Sequence, residues 1–115
     1  MSEDQIQAKI IIHFRNKYQM HGLALIHSTP NGGSRNVLEA KKLTATGLLP
    51  GASDLTIKLP NSRFIDVEVK IPTGKQSPDQ IKIENFLKNI NCQYIVVYSL
   101  EDFIEKVEPL IDSYL

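Results

Sequence analysis

The chain has 115 residues, 42% apolar and 23% charged, with a formal net charge of zero. That size suits one domain over 1–115 and excludes two; the composition excludes a disordered or fibrous chain. The lone cysteine, Cys92, excludes an intramolecular disulfide and a cysteine-based zinc cluster.

No apolar run approaches the roughly 20 residues of a membrane helix, and the acidic start, Glu3 and Asp4, lacks a secretory apolar stretch. A cytoplasmic, reducing setting is therefore expected. The neutral total hides an uneven distribution. Residues 100–115 hold five acids against one base, whereas the rest holds twelve bases against eight acids. A basic face for a nucleic-acid partner is compatible with that split, and so is an acidic last helix that is merely solvated.

In chain order, Ile6, Ile10 and Phe14 predict a helix from Ser2 to about Met20, capped by Ser2 with Gln5 three residues on. Residues 23–27 predict a short buried strand. Residues 28–34 are rich in turn formers. A helix over 37–46 stops at Gly47. Alternation then predicts two strands. Leu55, Ile57 and Leu59 share one face of the first. In the second, Ile65, Val67, Val69 and Ile71 oppose Phe64, Asp66, Glu68 and Lys70. Ser77 and Pro78 open a helix to about Asn91. Residues 94–98 form a β-branched strand, and 100–113 a final helix. The order implies an α/β fold with a mixed sheet of about four strands, helices on both faces, and the hairpin of residues 54–71 at its centre.

The charged side of that hairpin gathers Asp54, Asp66, Glu68 and Lys70. Three carboxylates there repel one another and lose hydration. A divalent cation resolves the conflict, and Mg²⁺ suits one or two carboxylates, waters and phosphate oxygens. Lys70 would then stand beside the metal, steering a water and offsetting phosphate charge, as phosphodiester hydrolysis requires. The plainer alternative is a solvent-facing strand of alternating charges.

Residues 47–54, ending Gly51, Ala52, Ser53, Asp54; residues 64–70, ending Glu68, Val69, Lys70; and Ser77 to Gln80, in that order and spacing, resemble the VRR-NUC domain. The likeness spans nearly the whole chain. It implies the PD-(D/E)xK restriction-endonuclease-like fold and a nuclease cutting structured DNA, in a bacterial or phage-infected cell. It implies that Asp54 and Glu68 ligate Mg²⁺ or Mn²⁺ together with the Val69 carbonyl, and that Glu3 can add to the metal site. Lys70 acts on the water or phosphate, and Gln80 matches the family's glutamine after the core motif. Ser53 departs from the usual proline before Asp54, which removes a fixed φ. Stand-alone domains of this kind resemble dimeric Holliday junction resolvases. A homodimer supplies the two symmetric cuts a four-way junction needs. A nicking or restriction-like endonuclease and a catalytically idle DNA-binding module are the alternatives.

Several of these residues carry a plainer reading as well. Gln80 can simply close a capping box with Ser77. Glu3 suits any first helical turn. Asn31, Gly32, Gly33 and Arg35, with Lys41 and Lys42 behind them and Lys75 and Lys82 on the other side, suit phosphate contacts or an ordinary loop. His27 reads as a structural histidine at a strand end, His13 and His21 as surface residues, and Cys92 as a half-buried small apolar residue.

Overall fold

In the computed structural model, residues 1–29 and 37–115 are described. Helix α1, Glu3–Lys17, begins as its cap predicts. The Gln5 amide donates to Ser2 Oγ at 3.2 Å and the Ser2 amide to Gln5 Oε1 at 2.8 Å. Ile6, Ile10 and Phe14 form its buried stripe, and a 3-10 turn over Gln19–His21 ends at Gly22, φ 69°. Helix α2, Val37–Ala45, closes with the Leu48 amide on the Leu43 carbonyl at 2.8 Å and Gly47 at φ 113°, a left-handed C-terminal cap.

Among the described residues four strands form one sheet in chain order: β1 (Leu25–Ser28), β2 (Leu55–Leu59), β3 (Arg63–Val69) and β4 (Gln93–Val97). The first two pairings are antiparallel and β3–β4 is parallel. The hairpin β2–β3 lies at the centre, as its alternation predicts. Helix α3, Pro78–Asn89, provides the crossover that a parallel pair needs. Helices α4 (Leu100–Lys106) and α5 (Glu108–Ser113) complete the chain.

One sheet face is the core. Ile26, Leu55, Ile57, Ile65, Val67, Val69 and Val97 pack with Phe14, Phe103 and Ile111 from the helices. Each such side chain contributes about 1.5–3 kcal/mol on burial. The opposite face carries Thr56, Lys58, Asp66 and Glu68, and α3 approaches it at β4.

Two expectations need correction. The expected buried strand over 23–27 is instead β1 from Leu25, an edge strand covered on one side only: Ile26 is buried, Leu25 is exposed, and Leu23 lies before the strand and is exposed. The last helix is two helices. Pro109 in the first turn of α5 has no N–H to continue the ladder of α4, so the chain re-starts after Val107.

Candidate active site

Asp54 precedes β2. Extending the β2–β3 register one step beyond the pair Leu55–Val67 sets Asp54 across from Glu68 on the charged face. The Val69 amide donates to Asp54 Oδ2 at 2.9 Å, and the Asp54 carbonyl accepts from the Thr29 amide at 2.9 Å. A strand residue directs its N–H and C=O toward the same neighbour, so the Val69 carbonyl also lies on the Asp54 side.

Ser53, in place of a proline, is held by a different device. Its buried hydroxyl lies 3.2 Å from the Leu55 carbonyl and 3.0 Å from Asp66 Oδ1, which also accepts from Thr56 Oγ1 at 2.9 Å. Asp66, which had no role in the motif, therefore braces the turn before Asp54. Gly51 makes this turn possible at φ 87°. A Cβ there would fall 2.5 Å from the Asp79 backbone, so only glycine lets the turn abut the start of α3.

That abutment brings Gln80 to Glu68. The capping-box reading of Gln80 holds, and its side chain also reaches Glu68. Its Oε1 accepts from the Ser77 amide at 2.8 Å, closing the capping box, while its Nε2 donates to Glu68 Oε1 at 3.0 Å. The Tyr94 hydroxyl donates to Glu68 Oε2 at 3.3 Å. Glu68 is 1% exposed. Burial, then the hydrogen-bonding demand and charge of Asp54, push its carboxyl up to about 9, against the opposing pull of Lys70 and Tyr94. Lys70 continues the alternation onto the same face and is itself buried; its amide bonds the Val97 carbonyl at 2.9 Å.

Two carboxyl groups sharing a site with too few positive charges, plus a carbonyl on the same side, form an oxygen donor set. It suits a hard divalent cation, which would take the place of the proton that Glu68 otherwise keeps. Among the described residues no group of three or more His, Cys, Asp or Glu side chains is placed to hold a metal. Glu3 therefore does not form a triad with Asp54 and Glu68. It sits in the first turn of α1, where the helix dipole favours an acid.

Lys41, Lys42, Lys75 and Lys82 are exposed, whereas Asn31, Gly32, Gly33 and Arg35 lie outside the described residues. His27 is exposed on the charged face of β1, with Nδ1 3.3 Å from the Ser28 carbonyl, and is not a core histidine. Cys92 is half-buried and His21 exposed, as expected. His13 is not a free surface residue: its Nε2 lies 3.0 Å from Glu108 Oε1. Tyr94 and the Ser53–Asp66 brace escaped the sequence reading. Tyr94 carries a period-two signal, but only the parallel pairing of Asp66 with Tyr94 puts it on the Glu68 face.

The VRR-NUC domain family profile matches residues 1–101. The chain belongs to the VRR-NUC family. This is a family of nuclease domains, and residues 47–80 lie inside the matched span. A solved VRR-NUC domain protein superposes with a TM-score of 0.73 at 19% identity, covering 100% of this chain and 88% of that one. A second solved VRR-NUC domain gives a TM-score of 0.55 at 20% identity, covering 87% of this chain and 95% of that one. At such identities the likeness is one of fold, an α/β sheet with flanking helices. No curated protein matches the chain. Among the described residues no helix is long and apolar enough to cross a membrane.

Proposed function

We propose that this VRR-NUC domain is a divalent-metal-dependent endonuclease that hydrolyses phosphodiester bonds in branched DNA, working as a homodimer. The observation that carries the reading is the buried Glu68 carboxyl, set against Asp54 and held by Gln80 beside Lys70. A fold gains little from setting a half-buried acid against a fully buried one unless a cation joins them.

Asp54, Glu68 and the Val69 carbonyl would hold Mg²⁺ or Mn²⁺. When bound, the cation polarises the scissile phosphodiester and neutralises charge in the transition state. With the cation bound, Glu68 would be held as the carboxylate, its proton released to solvent. Gln80 keeps the Glu68 carboxylate in one orientation. Lys70 directs the attacking water toward phosphorus and offsets charge on the phosphate oxygens. A strand-end position with little solvent lets its ammonium act at short range.

Exposed Lys41, Lys42, Lys75 and Lys82 supply sequence-independent phosphate contacts. Of the acids in residues 100–115, Glu108, Asp112 and Asp102 are engaged by His13 and Lys17, Tyr18, and Lys106. The acidic tail is thus partly consumed inside the fold. Support for a dimer comes from α2, which buries no residue and exposes Val37 and Leu38, and from exposed Phe86 and Ile90 on and beside α3. A two-fold pair supplies two sites for two symmetric cuts.

Cleavage of a four-way junction, a linear duplex and a single strand of matched sequence, each with and without Mg²⁺, tests this reading. The expected result is metal-dependent cutting that favours the junction and is lost in Asp54→Ala, with a dimer by sedimentation. Equal cutting of junction and duplex by a monomer would leave a general nuclease. Wild-type cutting by Asp54→Ala would overturn the site.

A further inference from the structure

Gln80 accounts for one oxygen of Glu68; the other is held from a different element. Tyr94 lies on β4, 4% exposed, in register with Asp66 and on the same sheet face as Glu68. Its ring could be replaced by phenylalanine without loss of packing, so the hydroxyl needs a separate reason. A buried hydroxyl costs free energy unless it is hydrogen-bonded. Here it donates to Glu68 Oε2 at 3.3 Å while Gln80 Nε2 donates to Oε1 at 3.0 Å.

Two donors on two oxygens, one from β4 and one from α3, fix the plane of the carboxylate. Both are neutral. A lysine or arginine in either place would pair with Glu68 and compete with a cation. A neutral donor instead takes one lone pair and leaves the other facing Asp54.

We propose that Tyr94 is a positioning residue that orients the Glu68 carboxylate for a divalent cation while touching neither the cation nor DNA. The inference rests on the reading of Glu68 as a metal ligand. Outer groups of this kind typically change metal affinity or activity by about 10–100-fold.

The test is a Mn²⁺ titration of the full chain by calorimetry, without DNA, alongside cleavage measured over a range of Mn²⁺. Tyr94→Phe should bind Mn²⁺ about tenfold more weakly. Its half-saturating Mn²⁺ for cleavage should rise in parallel, with KM for DNA and the metal-free melting temperature close to wild type. Should Tyr94→Phe melt early, the same comparison is made at a lower temperature where both proteins are folded. Wild-type Mn²⁺ affinity in folded Tyr94→Phe overturns the role of Tyr94 and leaves the metal site standing. A wild type that neither binds Mn²⁺ nor cuts with it overturns both.

Discussion

Among the described residues two glutamates are buried, and they have opposite fates. Glu68 is 1% exposed and Glu108 3%. Glu108 receives Lys17 Nζ at 2.9 Å on Oε2 and 3.1 Å on Oε1, and His13 Nε2 lies at 3.0 Å from Oε1. Burial pushes its carboxyl up, but the hydrogen bonds and charges of His13 and Lys17 outweigh it, and the group lies below the usual carboxylate value. Glu68 receives only neutral donors, faces Asp54, and is held far above that value. Lys70 is near enough to pull it down but forms no ion pair within 4.0 Å among the described residues. A buried charge matched within the fold is structural; one left unmatched marks the place where something else must bind.

The sharpest way to break this comparison is Glu68→Gln. Cleavage should fall by roughly 10³-fold, since a carboxamide is a poor cation ligand. The metal-free fold should nevertheless gain stability. In the folded chain Glu68 keeps its proton up to about 9, whereas the unfolded chain releases it above the ordinary 4.5. The folded state therefore binds more protons through that window, and wild-type stability falls as pH rises across it. Gln mimics the protonated form. The variant should exceed wild type by about 1–3 kcal/mol near pH 8, with the gap closing below pH 4.5, as read from urea denaturation at several pH values. A variant no more stable than wild type at pH 8 would mean that Glu68 is already matched.

Lys70→Arg sharpens the same contrast from the cation's side. If Lys70 were a partner like Lys17, a guanidinium would serve. A compact ammonium beside a water and a phosphate cannot be replaced by a wider planar fork. Single-turnover cleavage should fall by roughly 10²-fold with the fold intact. Full activity in Lys70→Arg would reduce Lys70 to a charge donor.

The smallest effect belongs to Glu108→Gln. Lys17 is half exposed and solvent screens it, so the loss should be about 1–2 kcal/mol near pH 7. Because the folded carboxyl lies below its ordinary value, its contribution is present above about pH 4.5 and is lost as pH falls through the folded value. The deficit of the variant should shrink in that range, and metal-dependent cleavage should be unchanged at a temperature where both proteins are folded. A larger effect on cleavage than on melting would tie Glu108 to the site after all.

Much of the architecture is written locally. Ser2 with Gln5, and Ser77 with Gln80, state their helix starts within four residues. The alternation of 55–59 and 63–69 states two strands and their two faces. The motif order places Asp54, Glu68 and Lys70 on one surface because period two leaves no other option once Val67 and Val69 are buried. Where a partner is remote the reading failed: His13, expected at the surface, meets Glu108 across 95 positions. The single helix expected over 100–113 ran straight through Pro109, which breaks it, and the acidic pattern around it concealed that Glu108 turns inward.

By itself, then, the sequence determined most of the elements, the central hairpin, the family and the candidate acids and lysine, because caps, periodicity and motif spacing act over a few bonds. Only the tertiary structure decided which buried glutamate is matched and which is not. It also set Tyr94 and Gln80 on the two oxygens of Glu68, and braced Asp54 through Ser53 and Asp66. Those outcomes depend on the parallel register of β3 with β4, on the close approach of Gly51 to α3, and on α1 packing near the C-terminal helices. Desolvation and through-space charge follow distance in the folded molecule, and the chain order does not contain that distance.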